Sequence, residues 1–588
     1  MFSGFESRTS IAKAFFSLFG LLIITRMITF QTSEQYRALQ ESWDKEYTGR
    51  TVSITPTRGM IYDRWGTPLA TNTTVYEIDV NLEHVAIYQN ADTIASVLSR
   101  ILELPYDQIQ QQASIPFDPL KARYRMITKF VEPEKIEQLS LTYEEYSNLK
   151  STNKKPAPTL RGVEWIPFLI RQYPEGQLAS NVIGFVTQHG DAMRGVEKQY
   201  DELLSGVPSK SYQTGIPNIV DDKTTIPQGA DLILTIDREI QMTVEDILDK
   251  AVEETRSLSG TVIVSDPKTG EILAMAVSPR IDSKNFWDSQ VKYVNPAIEV
   301  VYEPGSVFKV LTMAAALDAG VVTPDTPFLD TGSFSFGGVT VYNWDRNAYG
   351  QQTMTTCMQY SLNVCLAWVA KELGVTQFHN YLEAFGIGRR SGIDLDGEQV
   401  FPLPIPSDGN LAAQSFGQAV SVAPIQMVAA ISAIANDGNM MAPHVVRSII
   451  SNGRQYDLPP QRVSKPISAE TARTLTNMLS VSLQEETSLA HVPGYLLAGK
   501  TGTAEIPLTP DDPYFGIQAY RSVGSNASFV GWGPVDDPKF LVYVWLEEPG
   551  TSPWGSVVAA PVFADVVKEL VVLMDIPPDD VRMQLATQ

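Results

Sequence analysis

Apolar and polar positions divide the chain into three unlike stretches. Residues 11–30, IAKAFFSLFGLLIITRMITF, are almost continuously apolar and long enough to cross the roughly 30 Å hydrocarbon layer as one helix. Lys13 and Arg26 stand near its ends, where long side chains reach the headgroups. No small-residue cleavage site follows, so an uncleaved anchor is expected rather than a signal peptide. Arg8 and Lys13 lie before or within the run, and Glu34, Glu41, Asp44 and Glu46 follow it. That bias places the amino end in the cytoplasm and the bulk of the chain outside.

Residues 34–57 read as a polar stalk. Alternating apolar positions at 58–81, around Trp65-Gly66, predict paired strands. Residues 84–150 carry helical periods rich in Glu and Gln, and a Lys/Pro-rich loop runs to 160. Residues 170–186 and 194–210 mix strand and helix around glycine turns. No catalytic constellation occurs here, so 34–228 is expected to be a non-catalytic pedestal of the dimerisation type.

From 229 onward the pattern changes. Residues 229–241 predict a short strand and the start of a helix reaching about 257. GTVIVSD and EILAMAVS, joined through Lys268-Thr269-Gly270, predict a hairpin. Helices are predicted at 306–320, 353–374, 424–436, 468–484 and 562–574. YLLAGKTGTAE, ASFVGWGPV and KFLVYVWLEE read as consecutive strands. The fold class is therefore α+β, with an antiparallel sheet flanked by helices at 229–588.

Composition narrows the function. A formal charge of −22 and a pI near 4.7 argue against a nucleic-acid partner, which needs a cationic surface. The five histidines are isolated, so no zinc site is expected; no cofactor is expected either. Cys357 and Cys365 are the only cysteines. On one continuous helix they would lie roughly 12 Å apart along the axis and could not bridge, so buried inert thiols are expected.

Candidate chemistry centres on VYEPGSVFKVLTMAAALDAG. Pro304 and Gly305 form a stop and hinge, Ser306 opens a helix, and Gly320 supplies its C-terminal cap. Lys309 follows one turn later on the same face, as a base would beside a nucleophile. S-x-x-K occurs seven times in the chain, but only Ser306 begins a long apolar helix after Pro-Gly. Ser361-Leu362-Asn363 lies on an apolar helical segment and Lys500-Thr501-Gly502 on a strand. S-x-x-K, S-x-N and K-T-G together mark penicillin-binding proteins and class A β-lactamases.

With these motifs in place, the sequence resembles a class B penicillin-binding protein over nearly its whole length. The likeness runs through RGMIYDRWGTPLA, RGVEKQYDELLSG, DPKTGEILAM, NPAIEVVYEPGSVFK, SFGQAVSVAPIQM, IANDGNMMAPHVV, KTGTAE, SFVGWGP and AAPVF. Ala419 and Ala423 depart from it, standing where the pattern would place Gly and Thr. The Glu-x-x-x-Asn element of a deacylating β-lactamase is missing between the S-x-N and K-T-G motifs, so a stable acyl-enzyme with β-lactams is expected.

The resemblance implies a membrane-anchored peptidoglycan D,D-transpeptidase. By its pattern Ser306 attacks the stem peptide and Lys309, as a neutral amine, takes the proton. Ser361 relays it and Asn363 holds the substrate backbone. Lys500, Thr501 and Thr503 bind the terminal carboxylate, and Gly502 leaves room for the peptide. The implied partners are stem peptides, β-lactams, a polytopic membrane glycosyltransferase and division proteins. Asn363 favours the division type over the elongation type; a scaffold or β-lactam sensor on the same fold are the alternatives. By position alone, residues 506–526 are a candidate lid.

Overall fold

The computed structural model describes residues 3–33, 36, 50–54, 56–118, 121, 123–150, 157–213, 228–286, 293–486, 488–508, 510 and 519–586. The strand Ser259–Ser265 sends Val262 and Val264 to one face and Ile263 to the other, and Phe540–Glu547 does the same with Val542 and Val544 against Tyr543 and Trp545. Both faces are buried, so the centre of each strand is a continuous apolar run rather than an alternation with polar residues. They belong to a five-stranded antiparallel sheet, ordered Ile272–Ser278, Ser259–Ser265, Phe540–Glu547, Tyr520–Gly533, Ala498–Pro507.

Two helices cover one face. Arg238–Thr255 contributes Ile240, Val244 and Leu248, and Gly555–Leu573 contributes Phe563, Val567 and Leu570. The other face packs on a helical layer that includes Lys309–Asp318, Asn363–Leu373, Pro424–Ala435 and Ala469–Glu486. The last long helix starts at Gly555, earlier than the pattern predicted.

A second sheet joins residues on both sides of the sequence boundary at 228. Its order is Arg454–Asp457, Val446–Ser451, Asp231–Leu234, Ile61–Tyr62, Pro68–Asn81, Tyr124–Val131, with Val163–Gln172 also paired to Pro68–Asn81. Ile61–Tyr62 runs parallel to Asp231–Leu234. Near this sheet the carboxylate of Glu197, fully buried, lies 2.7 Å from Arg58 Nη2 and 2.6 Å from Arg171 Nε. A lone buried carboxylate would be costly, and two guanidinium partners offset its lost hydration. The motifs beginning Arg58-Gly59 and Arg194-Gly195 thus meet at one ion cluster.

Residues 1–57 with 205–229 form a separate unit. In it, strand Arg50–Ile54 pairs antiparallel with Ser209–Gln213. The helix Ser3–Gln31 leaves Phe15, Phe16, Leu18, Leu22 and Ile28 exposed. Its Thr25 and Thr29 hydroxyls donate back to Leu21 O at 2.8 Å and Arg26 O at 2.9 Å, so they need no external partner. Its Lys13–Gln31 portion is long and apolar enough to cross a membrane.

Candidate active site

Ser306 lies in a 3₁₀ turn, Gly305–Phe308, from which the α-helix Lys309–Asp318 continues. Gly305 has φ +59°, and its N–H donates to Gly417 O at 3.0 Å. A Cβ there would stand 2.6 Å from Thr503 O; glycine is required both by the left-handed backbone and by the close approach of the strand. At the far end Gly320 N–H bonds Leu317 O and Val321 N–H bonds Ala316 O, each at 3.0 Å, the paired C-terminal closure expected of a glycine with φ +69°.

The side-chain nitrogen of Lys309 is the hub of the site. The residue is fully buried, and Nζ donates to Ser361 O at 2.6 Å, Asn363 Oδ1 at 2.7 Å and Ser361 Oγ at 3.1 Å. S-x-x-K and S-x-N are therefore in direct contact. Ser361 reaches this position because it adopts φ +55°, which breaks the expected 353–374 helix into Met354–Gln359 and Asn363–Leu373.

That break overturns the inert-thiol reading. Cys357 and Cys365 sit on different helices with Cα atoms 6.2 Å apart and form a disulfide beneath the Ser361 turn. The 12 Å expectation rested on a continuous helix, and the left-handed serine removes it.

The K-T-G residues lie on Ala498–Pro507, the edge strand of the five-stranded sheet. Lys500 is buried, and its Nζ donates to Thr501 Oγ1 at 3.3 Å. Thr503 Oγ1 accepts the N–H of Gly555 at 3.1 Å, tying the strand to the start of the final long helix. A Cβ on Gly502 would meet Ser528 Oγ at 2.2 Å, Val307 Cγ1 at 2.9 Å and Pro304 O at 3.3 Å. The absent side chain therefore makes room for the Ser306 turn and the neighbouring strand.

Residues 260–568 match the family described as the penicillin binding protein transpeptidase domain, and residues 53–216 match the penicillin-binding protein dimerisation domain. The chain is a class B penicillin-binding protein. It is 31% identical to stage V sporulation protein D of Bacillus subtilis, across 96% of this chain and 86% of that one. It is 29% identical to the peptidoglycan D,D-transpeptidase FtsI of Escherichia coli K12, across 90% and 86%. In fold it is similar to penicillin-binding protein 3 of Mycobacterium tuberculosis crystallised with aztreonam, with a TM-score of 0.67, 25% identity and coverage of 90% and 98%.

Three supports of this penicillin-binding protein's site escaped the sequence reading. Glu303, buried three residues before Ser306, accepts the N–H of Ala419 at 3.0 Å. Burial pushes its carboxyl up to about 7; the Tyr520 hydroxyl and the Ala419 N–H pull it down, and Glu505 adds to the rise. Tyr302 and Tyr543 join their hydroxyls behind the Ser306 turn. Ala419 itself has φ +55°, which explains why glycine suits that position better. A carboxylate in the motif was the only signal for Glu303, and nothing in the sequence links it to residue 419. Of the 506–526 expectation, residues 509 and 511–518 lie outside the described residues, while its two ends belong to the strands Ala498–Pro507 and Tyr520–Gly533.

Proposed function

We propose that this penicillin-binding protein is a serine-type D,D-transpeptidase that cross-links peptidoglycan stem peptides. Ser306 Oγ attacks the carbonyl between the two terminal D-alanines while Lys309 Nζ accepts its proton. The C–N bond then breaks, and Ser361 Oγ passes a proton to the departing D-alanine amine. An amine of a neighbouring stem peptide attacks the Ser306 ester, forming the cross-link and restoring the hydroxyl. Lys500, Thr501 and Thr503 hold the terminal carboxylate and Asn363 the substrate backbone. The N–H groups of Ser306 and Thr503 face the developing oxyanion, where one donor is worth about 10²–10³ in rate.

The observation that carries this reading is the buried Lys309 side chain, whose Nζ lies within hydrogen-bond reach of Ser361 O, Ser361 Oγ and Asn363 Oδ1. A base so placed is pre-oriented, an effect worth about 10²–10⁴. A β-lactam presents its ring amide to the same serine, and the ester persists because no Glu-x-x-x-Asn element stands between the S-x-N and K-T-G motifs.

The amino-terminal helix anchors the chain with its amino end in the cytoplasm and the site outside. A polytopic membrane glycosyltransferase and division proteins are the proposed partners, with Asn363 supporting a division role. The relationship to a sporulation protein supports a second reading, a role confined to spore formation. Depletion separates them: blocked division supports the first, normal growth with defective spores the second.

Peptide mapping after exposure to penicillin tests the chemistry. A stable adduct on Ser306, absent from Ser306→Ala, is expected. Folded wild-type protein that forms no adduct would remove the serine mechanism.

A further inference from the structure

Asn363 Oδ1 can receive Lys309 Nζ only if its amide is turned the right way, and the amide is fixed from outside its own helix. Asn363 Nδ2 donates to Tyr342 O at 3.1 Å, which leaves Oδ1 for Lys309. The next residue, Asn343, reaches the same helix end: its Oδ1 accepts the N–H of Val364 at 3.3 Å. The helix Asn363–Leu373 has Leu362 at its N-cap, with no side-chain acceptor of its own. Asn343 therefore caps it from a distant segment, where capping residues normally bond the second or third N–H.

The orientation of Asn343 is fixed in turn. Its Nδ2 faces two oxygens, Asp330 Oδ2 at 2.7 Å and Asn347 O at 3.0 Å, so Oδ1 must face Val364. Asp330 Oδ1 accepts Gly332 N–H at 2.6 Å. Asp330 and Asn343 are each only 2% exposed, so solvent does not compete for these bonds.

We infer that Asp330 and Asn343 are positioning residues for the reaction, holding the Asn363 end of the S-x-N turn, and through it Lys309, in the acylating arrangement. Neither needs to touch substrate. Carboxylate, amide and helix end form one chain of bonds ending at Lys309 Nζ. Misplacing a reacting group by about 1 Å costs up to roughly 100-fold in rate, so loosening this chain slows acylation rather than weakening initial binding. The inference rests on the acyl-serine reading above.

The test is stopped-flow acylation by a fluorescent penicillin in the full-length protein held in detergent, separating the acylation rate constant from the initial dissociation constant. Each rate is normalised to active sites titrated by intact mass. Asn343→Asp sets two carboxylates face to face, and its rate constant is expected to fall about tenfold or more with little change in initial binding. The exchanged pair Asp330→Asn/Asn343→Asp restores a donor opposite the new carboxylate and keeps acceptors for Val364 and Gly332. It is expected to recover most of the loss, the contact with Asn347 O remaining broken.

An Asn343→Asp rate per active site equal to wild type overturns the inference, as does an exchanged pair no faster than Asn343→Asp. If Asn343→Asp fails to fold, Asp330→Asn takes its place against the exchanged pair under the same criteria. Wild-type protein that is never acylated sinks the serine mechanism itself, and that outcome is distinct from the others.

Discussion

Glu303 Oε1 holds the backbone N–H of Ala419 at 3.0 Å, joining the residue three before Ser306 to the turn after Gly417. Because burial pushes the Glu303 carboxyl up to about 7 from an ordinary 4.5, the folded chain keeps a proton that the unfolded chain releases. Its contribution to stability is whole below about pH 4.5 and is lost as pH rises through about 7, a swing on the order of 3 kcal/mol. Denaturation across pH 4–8 should show Glu303→Gln with a flatter profile than wild type, the curves differing most above pH 7. Parallel curves would contradict this account.

Ala419→Gly should stabilise the protein. A left-handed alanine costs about 1–2 kcal/mol, and the greater freedom of glycine when unfolded takes back about 0.5–1. The thermal midpoint is expected to rise slightly, with penicillin acylation intact. A fall in the midpoint would show that the strain is absent.

Ala423 precedes the helix Pro424–Ala435, and its N–H already donates to Gln426 Oε1 at 2.9 Å. Ala423→Thr adds the missing cap oxygen and completes a reciprocal pair, worth about 1 kcal/mol. Calorimetry of the variant tests it.

Gly502→Ala should abolish measurable acylation while leaving the fold. Its Cβ would collide with Ser528 and with Val307 beside Ser306, displacing the turn or the strand. A loss of about 100-fold or more is expected; near wild-type acylation would refute the packing argument.

Thiol labelling of the denatured, unreduced protein should find no free cysteine, and two after reduction. Opening the Cys357–Cys365 loop should cost about 2–3 kcal/mol by loop entropy. Melting of a Cys357→Ser/Cys365→Ser variant measures it.

The sequence was most informative where function and local geometry coincide. The Pro-Gly before Ser306 and the Gly320 cap give that helix its limits, and long apolar strands give the central sheet. The disulfide was illegible because it depends on Ser361 taking φ +55°, which no propensity favours for serine. Asn343 was illegible for a related reason. Its partners Asp330 and Val364 come from other segments, and only the fold brings them together.

The parallel pairing of Ile61–Tyr62 with Asp231–Leu234 has a mechanical consequence. A cut at the sequence boundary would strip one strand from its neighbour and leave a raw hydrogen-bonding edge. Segments on the two sides share one sheet, so load taken up by the 58–204 stretch passes straight into the strand that opens the catalytic region. A tug there is felt as tension across backbone hydrogen bonds, with no slack tether to absorb it.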